Sequence, residues 1–278
     1  MKDRVFIRML KKSRAGKIGL TIMIIVLFLG VFAPLIAPYS PIDTNAADSR
    51  MAPCMAHIMG TDETGMDIFS RCIYAIRIDV FIGVAGTAIS LTLGIVLGLL
   101  VGYYEGIFGE VVMRLTDLMQ AFPAFILAMA LVAVLGNKLS NILFVVAFIN
   151  IPIYLRFVRG EVLAMKSRPY IEAAHAAGMT PFTIMFKELL PNSLRPALVQ
   201  ASINIGGAIL LTAGLSFIGA GVKVPTPEWG SMISLGAPLI ITKQWWAAFF
   251  PGACIAITVL GFALFGDFLR EYLNPERR

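Results

Sequence analysis

Long apolar runs alternate with shorter polar segments along most of the 278-residue chain. Each run is about twenty residues long, which is the length that a helix needs to cross the hydrocarbon core of a bilayer. We therefore predict an all-α integral membrane protein with six transmembrane helices. The predicted helices occupy residues 18–36, 80–103, 115–135, 139–155, 196–219 and 246–265.

The composition supports this assignment and the charge pattern orients it. Hydrophobic residues make up 58% of the chain and charged residues only 14%, which excludes an ordinary soluble domain. With both termini in the cytoplasm, 17 of the 23 Lys and Arg residues fall on inner segments, where positive charge is retained, and 6 on outer ones. The net charge of +6 is therefore a topology signal, and no aromatic-rich basic patch indicates nucleic-acid binding.

The first apolar run is preceded by a basic stretch, as in a secretory signal peptide. The run is too long for one and lacks a small-residue cleavage site, so we expect an uncleaved first helix. It leads into a long outer segment, residues 37–79, that contains Cys54 and Cys72. A disulfide between these cysteines would fit an oxidising compartment, but we expect free thiols.

Residues 171–195 form a polar and basic island on the predicted cytoplasmic side. We expect a helix that breaks at Gly178, then a second helix that Thr180 and Pro181 begin and Pro191 stops. This second helix would carry an apolar stripe of Phe182, Met185, Phe186 and Leu189. An apolar stripe on a water-exposed loop needs a partner; the alternative is that the two helices pack on their own membrane domain.

Two predicted spans have distinctive small or polar faces. Gly94, Gly98 and Gly102 recur every four residues in the second span, a spacing that lets another helix approach closely. Polar residues mark the fifth span, where a pathway lining and a hydrogen-bonded helix contact explain them equally well. The candidate pathway residues are Gln200, Asn204 and Ser216.

Several kinds of chemistry lack a sequence signature. No predicted span carries an ionisable residue in its interior, which disfavours a proton- or sodium-coupled carrier. The chain has no phosphate-binding glycine loop, so we expect no ATP hydrolysis. The two histidines, His57 and His175, have no metal-ligand spacing, and we predict no catalytic, cofactor or metal site in this chain.

Four ordered stretches resemble one family. Glu172-Ala173-Ala174, Gly178 and Leu190-Pro191 resemble the EAA loop of ABC-importer membrane subunits. Residues 60–71 (GTDETGMDIFSR), 215–230 (LSFIGAGVKVPTPEWG) and 266–275 (GDFLREYLNP) are similar to stretches of the dipeptide, oligopeptide and nickel importers. The chain is thus identified as a member of this permease family, in the branch with a long first outer loop.

The resemblance implies a type I ABC-importer permease fold with cytoplasmic coupling helices in a bacterial-type cytoplasmic (inner) membrane. It implies a heterodimer with a homologous permease, two ABC ATPase subunits that bind ATP-Mg, and an extracytoplasmic solute-binding protein; membrane lipid surrounds the permeases. It divides the chain into a basic cytoplasmic segment (1–17), the first helix and outer loop, a permease domain (80–267) with its EAA loop at about 168–195, and a cytoplasmic tail (268–278).

The resemblance also assigns roles to residues. The EAA residues expected to couple to the ATPase are Glu172, Ala173, Ala174, Gly178, Phe182, Met185, Phe186, Glu188, Leu190 and Pro191. Three positions depart from the family pattern, namely Met66, Glu188 and Asn274, and Glu188 would lie in or beside the ATPase contact. The expected substrate is a di- or oligopeptide; import of nickel, glutathione or another small solute, a secondary transporter and a non-transporting scaffold remain alternatives.

Overall fold

The computed structural model describes residues 2–273, and their regular structure is helical. The helices are α1 (Lys2–Lys12), α2 (Arg14–Val31), α3 (Ala33–Ile36), α4 (Ile68–Tyr103), α5 (Ile107–Ala121), α6 (Ala124–Leu135), α7 (Leu139–Lys166), α8 (Pro169–Ala176), α9 (Pro181–Thr183), α10 (Leu190–Phe217), α11 (Trp229–Gly236) and α12 (Trp246–Leu273). The all-α prediction is confirmed. Asn274 and Pro275, which contribute to the C-terminal resemblance, lie outside the described residues.

Within residues 2–273, five helices are long and apolar enough to cross a membrane, and a sixth span results if α5 and α6 count as one. These two helices meet at an angle of 94°. Pro123 explains the break, since proline has no backbone N–H and forces the preceding Phe122 into an extended conformation. The predicted third span is therefore a bent pair of shorter helices.

The second span begins twelve residues earlier than predicted, at Ile68 and not at residue 80. Asp67 caps the helix by accepting the Ser70 N–H at 2.7 Å. Arg71 and Asp79, which the prediction placed in the outer loop, are thus buried residues of the helix that forms the second span. The expected boundary between outer loop and permease domain therefore falls inside a continuous helix.

Pro191 does not stop a helix, contrary to the prediction. One helical segment of 37 residues runs from Pro181 to Phe217, with a π-helical turn at Ile184–Leu189 just before this proline. The ring of a proline in an α-helix clashes with the carbonyl group four residues earlier, and the wider π turn relieves that clash. The polar island therefore continues directly into the fifth span.

The centre of the bundle is the contact between α4 and α7. A methyl group added at Gly94 would overlap Tyr154, and one added at Gly98 would lie 2.8 Å from the carbonyl oxygen of Leu155. Gly102 likewise meets Val162 of α7. The predicted packing role of this glycine face is thus confirmed, and it fixes α7, which leads into the polar island, against α4.

The outer segment is held against the start of α4 by Arg71, which is only 1% exposed. Its Nη1 donates to the carbonyl oxygen of Pro41 at 2.8 Å and to that of Pro225 at 3.3 Å. Met66 lies against the same guanidinium and is buried. Arg71 thus joins the outer loop to the segment between α10 and α11.

The disulfide between Cys54 and Cys72, which the sequence allowed as an alternative, does not form. Cys54 is exposed in the outer loop, whereas Cys72 is buried on α4. The Cys72 thiol lies near the Cys254 thiol on α12. All three cysteines are free thiols, as expected, and the alternative of a Cys54–Cys72 disulfide is not present.

Candidate functional site

The polar island begins as predicted from its capping residues. Helix α8 ends at Ala176, and Gly178 follows with a φ of +75°, a conformation that favours glycine. Thr180 then caps the next helix, its hydroxyl oxygen accepting the Thr183 N–H at 3.3 Å. Pro181 occupies the first turn, where its missing N–H costs nothing. The turn between the two helices is therefore fixed by local sequence.

The apolar stripe divides between the surface and the core. Phe182 and Phe186 are 66% and 39% exposed, and their ring centroids lie 4.5 Å apart. Met185 and Leu189 are buried against α4 and α7, so the prediction that Met185 shares the exposed face is wrong. The stripe is thus two faces of one helix, and the aromatic pair is the part available to a partner.

The other predicted coupling residues surround this aromatic pair with varying exposure. Glu172, Ala173, Gly178 and Pro191 are exposed, Glu188 and Leu190 are half-buried, and Ala174 is buried. The Glu188 carbonyl oxygen accepts a hydrogen bond from Asn192 at 2.8 Å, and the Glu188 carboxylate forms no ion pair with another residue of the described part of the chain. Hereafter we call the exposed residues of 172–187 the docking face.

A cavity of about 720 Å³ opens where α5 and α6 break, facing α7 and α10. Three amide side chains line it: Gln120 from α5, Asn150 from α7 and Asn204 from α10. Asn150 donates to the Val146 carbonyl oxygen at 2.8 Å, and Asn204 Oδ1 accepts from Gln200 at 2.9 Å. Amides that both donate and accept hydrogen bonds suit a polar, uncharged group such as a peptide bond.

The three candidate pathway residues separate in the structure. Asn204 lines the 720 Å³ cavity, while Gln200 lines a second pocket of about 410 Å³ beside Arg195 and Arg270. Ser216 borders neither, because it is 3% exposed and its hydroxyl oxygen accepts the Val222 N–H at 3.2 Å. Ser216 is therefore a packing residue, and the prediction for it is wrong.

Sequence reasoning missed Gln120 and Asn150. Both are single polar residues inside a predicted span, and each lies within three positions of a proline, Pro123 or Pro152. That combination was the available signal, because a proline in a membrane helix frees backbone groups and opens space beside them. Their convergence on Asn204 depends on the bend between α5 and α6, which periodicity does not reveal.

Comparison with known proteins agrees with this architecture. The family model for the binding-protein-dependent transport system inner membrane component matches residues 94–278. The model for the N-terminal transmembrane domain of oligopeptide transport permease C matches residues 4–53. The first match covers the bundle from within α4 onward, and the second covers the first helices and the beginning of the outer segment.

Full-length relatives give the same result. The chain is 40% identical over 98% of its length to the dipeptide transport system permease protein DppC of Alkalihalophilus pseudofirmus, covering 89% of that protein. It is 38% identical over 96% of its length to the probable D,D-dipeptide transport system permease protein DdpC of Escherichia coli, covering 90% of it.

A third relative has a different named substrate. The glutathione transport system permease protein GsiD of Pectobacterium atrosepticum is 37% identical over 97% of the chain, which covers 89% of that protein. The family matches, the identities and the helical bundle all agree, and the chain belongs to the family of binding-protein-dependent transport system inner membrane components.

Proposed function

We propose that this protein is a membrane permease subunit of an ATP-driven ABC importer for di- and oligopeptides. Relatives named as dipeptide permeases match nearly the whole chain and support the substrate class. In this proposal the protein itself is non-catalytic. It resides in the cytoplasmic membrane with both termini inside, and separate ATPase subunits bind ATP-Mg.

The observation that carries the proposal is the continuity of the helical segment from Pro181 to Phe217. Phe182 on the docking face and Asn204 at the cavity belong to this one segment, about 33 Å apart at 1.5 Å per residue. A rigid helix transmits a displacement of one end to the other. Closure of the ATPases at the docking face would therefore move the wall of the cavity directly.

The cavity supports a two-permease pathway. It is bounded by α5, α6, α7 and α10 but is open on its remaining side. A homologous second permease would close that side, giving an amide-lined route between the subunits. An external solute-binding protein would deliver the peptide to the outer segment, as the family name implies.

The lining of the cavity favours peptides over a metal ion. Gln120, Asn150 and Asn204 offer neutral amides, whereas nickel is suited to imidazole ligands. Glutathione, itself a tripeptide, is the second candidate because of the GsiD relative. The buried Asp79 removes the sequence argument against an ion-coupled carrier, so ATP dependence has to be measured.

The test is uptake of labelled dipeptides into proteoliposomes containing this protein, its partner permease, the ATPases and the binding protein. The double variant Phe182→Ser/Phe186→Ser removes the exposed aromatic pair, and Phe249→Ser, 58% exposed at the start of α12, is the matched control. We expect ATP-dependent uptake and ATPase co-purification to be lost only in the double variant.

Two outcomes would contradict the proposal in different ways. Uptake that proceeds without ATP would identify a secondary carrier. ATP-dependent uptake that survives the double variant would show that the ATPases bind elsewhere. Competition with glutathione and with nickel in the same assay distinguishes the alternative substrates.

A further inference from the structure

Two carboxyl groups meet at the beginning of α11, in the segment between α10 and α12. Glu228 caps this helix: its Oε1 accepts the Gly230 N–H at 2.9 Å and its Oε2 accepts the Ser231 N–H at 2.7 Å. Asp79 of α4 accepts the preceding N–H, that of Trp229, through Oδ2 at 3.1 Å. Three successive backbone N–H groups are thus taken by two acids from different parts of the chain.

Both acids are fully buried, each with an exposed fraction of 0%. The side chains facing them are the Ser216 hydroxyl of α10 and the Cys254 thiol of α12. Among residues 2–273, no Lys, Arg or His forms a salt bridge with either acid. Two adjacent carboxylates in a low-dielectric site without a cation repel one another strongly, so both cannot be ionised.

The hydrogen bonds indicate which acid is neutral. Glu228 uses both of its oxygens to accept N–H groups, as an ionised carboxylate does. Asp79 Oδ1 is buried without a partner, and because Asp79 and Glu228 accept consecutive N–H groups of the same helix start, the two carboxyl groups are neighbours. A proton on Asp79 Oδ1 would donate to Glu228 and satisfy both groups.

We propose that Asp79 and Glu228 form a binding site for one proton, carried on Asp79 Oδ1, which fastens α11 to α4. Trp229 completes the contact, since its indole Nε1 donates to the Cys72 carbonyl oxygen at 3.1 Å and its side chain is fully buried. Loss of the proton leaves two buried anions and drives α11 away from α4. The site is separate from the docking face and from the amide-lined cavity.

The pH dependence of stability follows from the one proton that the pair holds. The unfolded chain exposes both carboxyl groups to water and binds this proton more weakly than the folded pair does. Burial raises the pKa of the Glu228 carboxyl, and the N–H groups of Ser231 and Gly230 oppose that rise. A group whose folded-state pKa is raised contributes stability at low pH that is lost as the pH increases. The pair therefore stabilises the fold in the singly protonated state, and this stability is lost on the alkaline side.

The test uses the assembled transporter with the variants Asp79→Asn and Glu228→Gln, and with Asp43→Asn as an exposed control. Asparagine reproduces the protonated acid, because its amide N–H can donate to Glu228 while its oxygen accepts from Trp229. We expect Asp79→Asn to remove the alkaline loss of thermal stability and to remove an infrared carbonyl band of a buried protonated carboxylic acid. Glu228→Gln turns an amide NH₂ toward backbone donors, so its melting temperature falls even at neutral pH.

Isotope labelling of the wild-type protein provides a second test, and this test does not depend on whether a variant folds. Incorporation of ¹³C at the aspartate carboxyl carbon should shift the protonated-acid band, and the same label in glutamate should not. A wild-type protein with no such band, or with a band that shifts only on glutamate labelling, would overturn the assignment of the proton to Asp79. An Asp79→Asn protein that folds yet loses stability at alkaline pH as the wild type does would overturn its fastening role.

Discussion

The indole Nε1 of Trp246 donates a hydrogen bond of 3.1 Å to the carbonyl oxygen of Thr61, 185 positions earlier in the chain. Trp246 opens α12 and is 8% exposed, so the bond is shielded from water. Thr61 belongs to the turn that precedes α4, and its hydroxyl oxygen accepts the Met51 N–H at 2.8 Å. The outer loop is therefore seated on the first turn of the last span.

Replacement of this indole should loosen the loop without disturbing the bundle. Trp246→Phe keeps most of the apolar volume but leaves the Thr61 carbonyl oxygen without its donor, at a cost of about 1–3 kcal/mol. We expect a lower melting temperature for the variant in detergent. Trp245→Phe, at a neighbouring site that is 48% exposed, should leave the melting temperature nearly unchanged. Equal effects of the two substitutions would show that the hydrogen bond does not stabilise the loop.

The α4–α7 contact predicts a large difference between two glycine-to-alanine substitutions. In Gly98→Ala, the new methyl group lies 2.8 Å from the Leu155 carbonyl oxygen and from the Val158 Cβ, so the helices must separate. The expected loss is about 1–3 kcal/mol, as for other overpacked cores. Gly160→Ala places its methyl in open space on α7 and gains helix propensity, so it should be neutral or stabilising. Thermal unfolding of the two variants measures the difference in their stability. Equal stability of the two variants would show that α4 and α7 are not closely packed at Gly98.

Features determined by neighbouring residues could be predicted from sequence. The cap at Thr180 and the left-handed Gly178 depend on groups within four positions, and both appear as expected. The glycine face of α4 was also predictable, because glycines at four-residue spacing indicate a close helix contact, although they do not identify the partner helix. Five of the six apolar runs likewise correspond to long helices, and the third corresponds to the bent pair α5 and α6.

Features that depend on distant partners could not be predicted. Arg71 and Asp79 made residues 68–79 look like a loop, but they are buried because their partners, Pro225 and Trp229, come from the far end of the chain. The burial of Met185 depends on the position of the helix against α4 and α7. Helical periodicity gives the spacing of an apolar stripe but not which part of it faces the core.

The cysteines offer a test of both packing and orientation. Cys54 is exposed in the outer loop, so in intact cells a membrane-impermeant maleimide should label it and leave the buried Cys72 unlabelled. A thiol-specific oxidant should cross-link Cys72 to Cys254, since their thiols are neighbours. Mass spectrometry of the oxidised protein identifies the linked peptides. Labelling of Cys54 only after the cells are opened would reverse the proposed topology, and a Cys54–Cys72 bridge would contradict the packing.

Substitutions at Gly178 distinguish an effect of backbone geometry from an effect of side-chain chemistry at the docking face. Its φ is +75°, and nothing lies within 4 Å of the position that a Cβ would occupy, so a substitution is strained only through the backbone. Asparagine tolerates this conformation, whereas a β-branched residue does not and pays about 1–2 kcal/mol or rearranges the turn. We therefore expect Gly178→Asn to retain most ATP-dependent uptake and Gly178→Val to lose most of it, with the Val variant still inserted and bound to its partner permease.

The ratio of peptide taken up to ATP hydrolysed provides the decisive measurement for this pair. If the turn sets the angle at which α8 meets the helix bearing Phe182, distortion should lower the ratio more than it lowers the amount of assembled complex. A Val variant with unchanged uptake would show that the left-handed turn is dispensable for coupling. A loss shared equally by the Asn and Val variants would instead mean that any side chain at position 178 obstructs the partner, which would place the ATPase contact directly over the glycine.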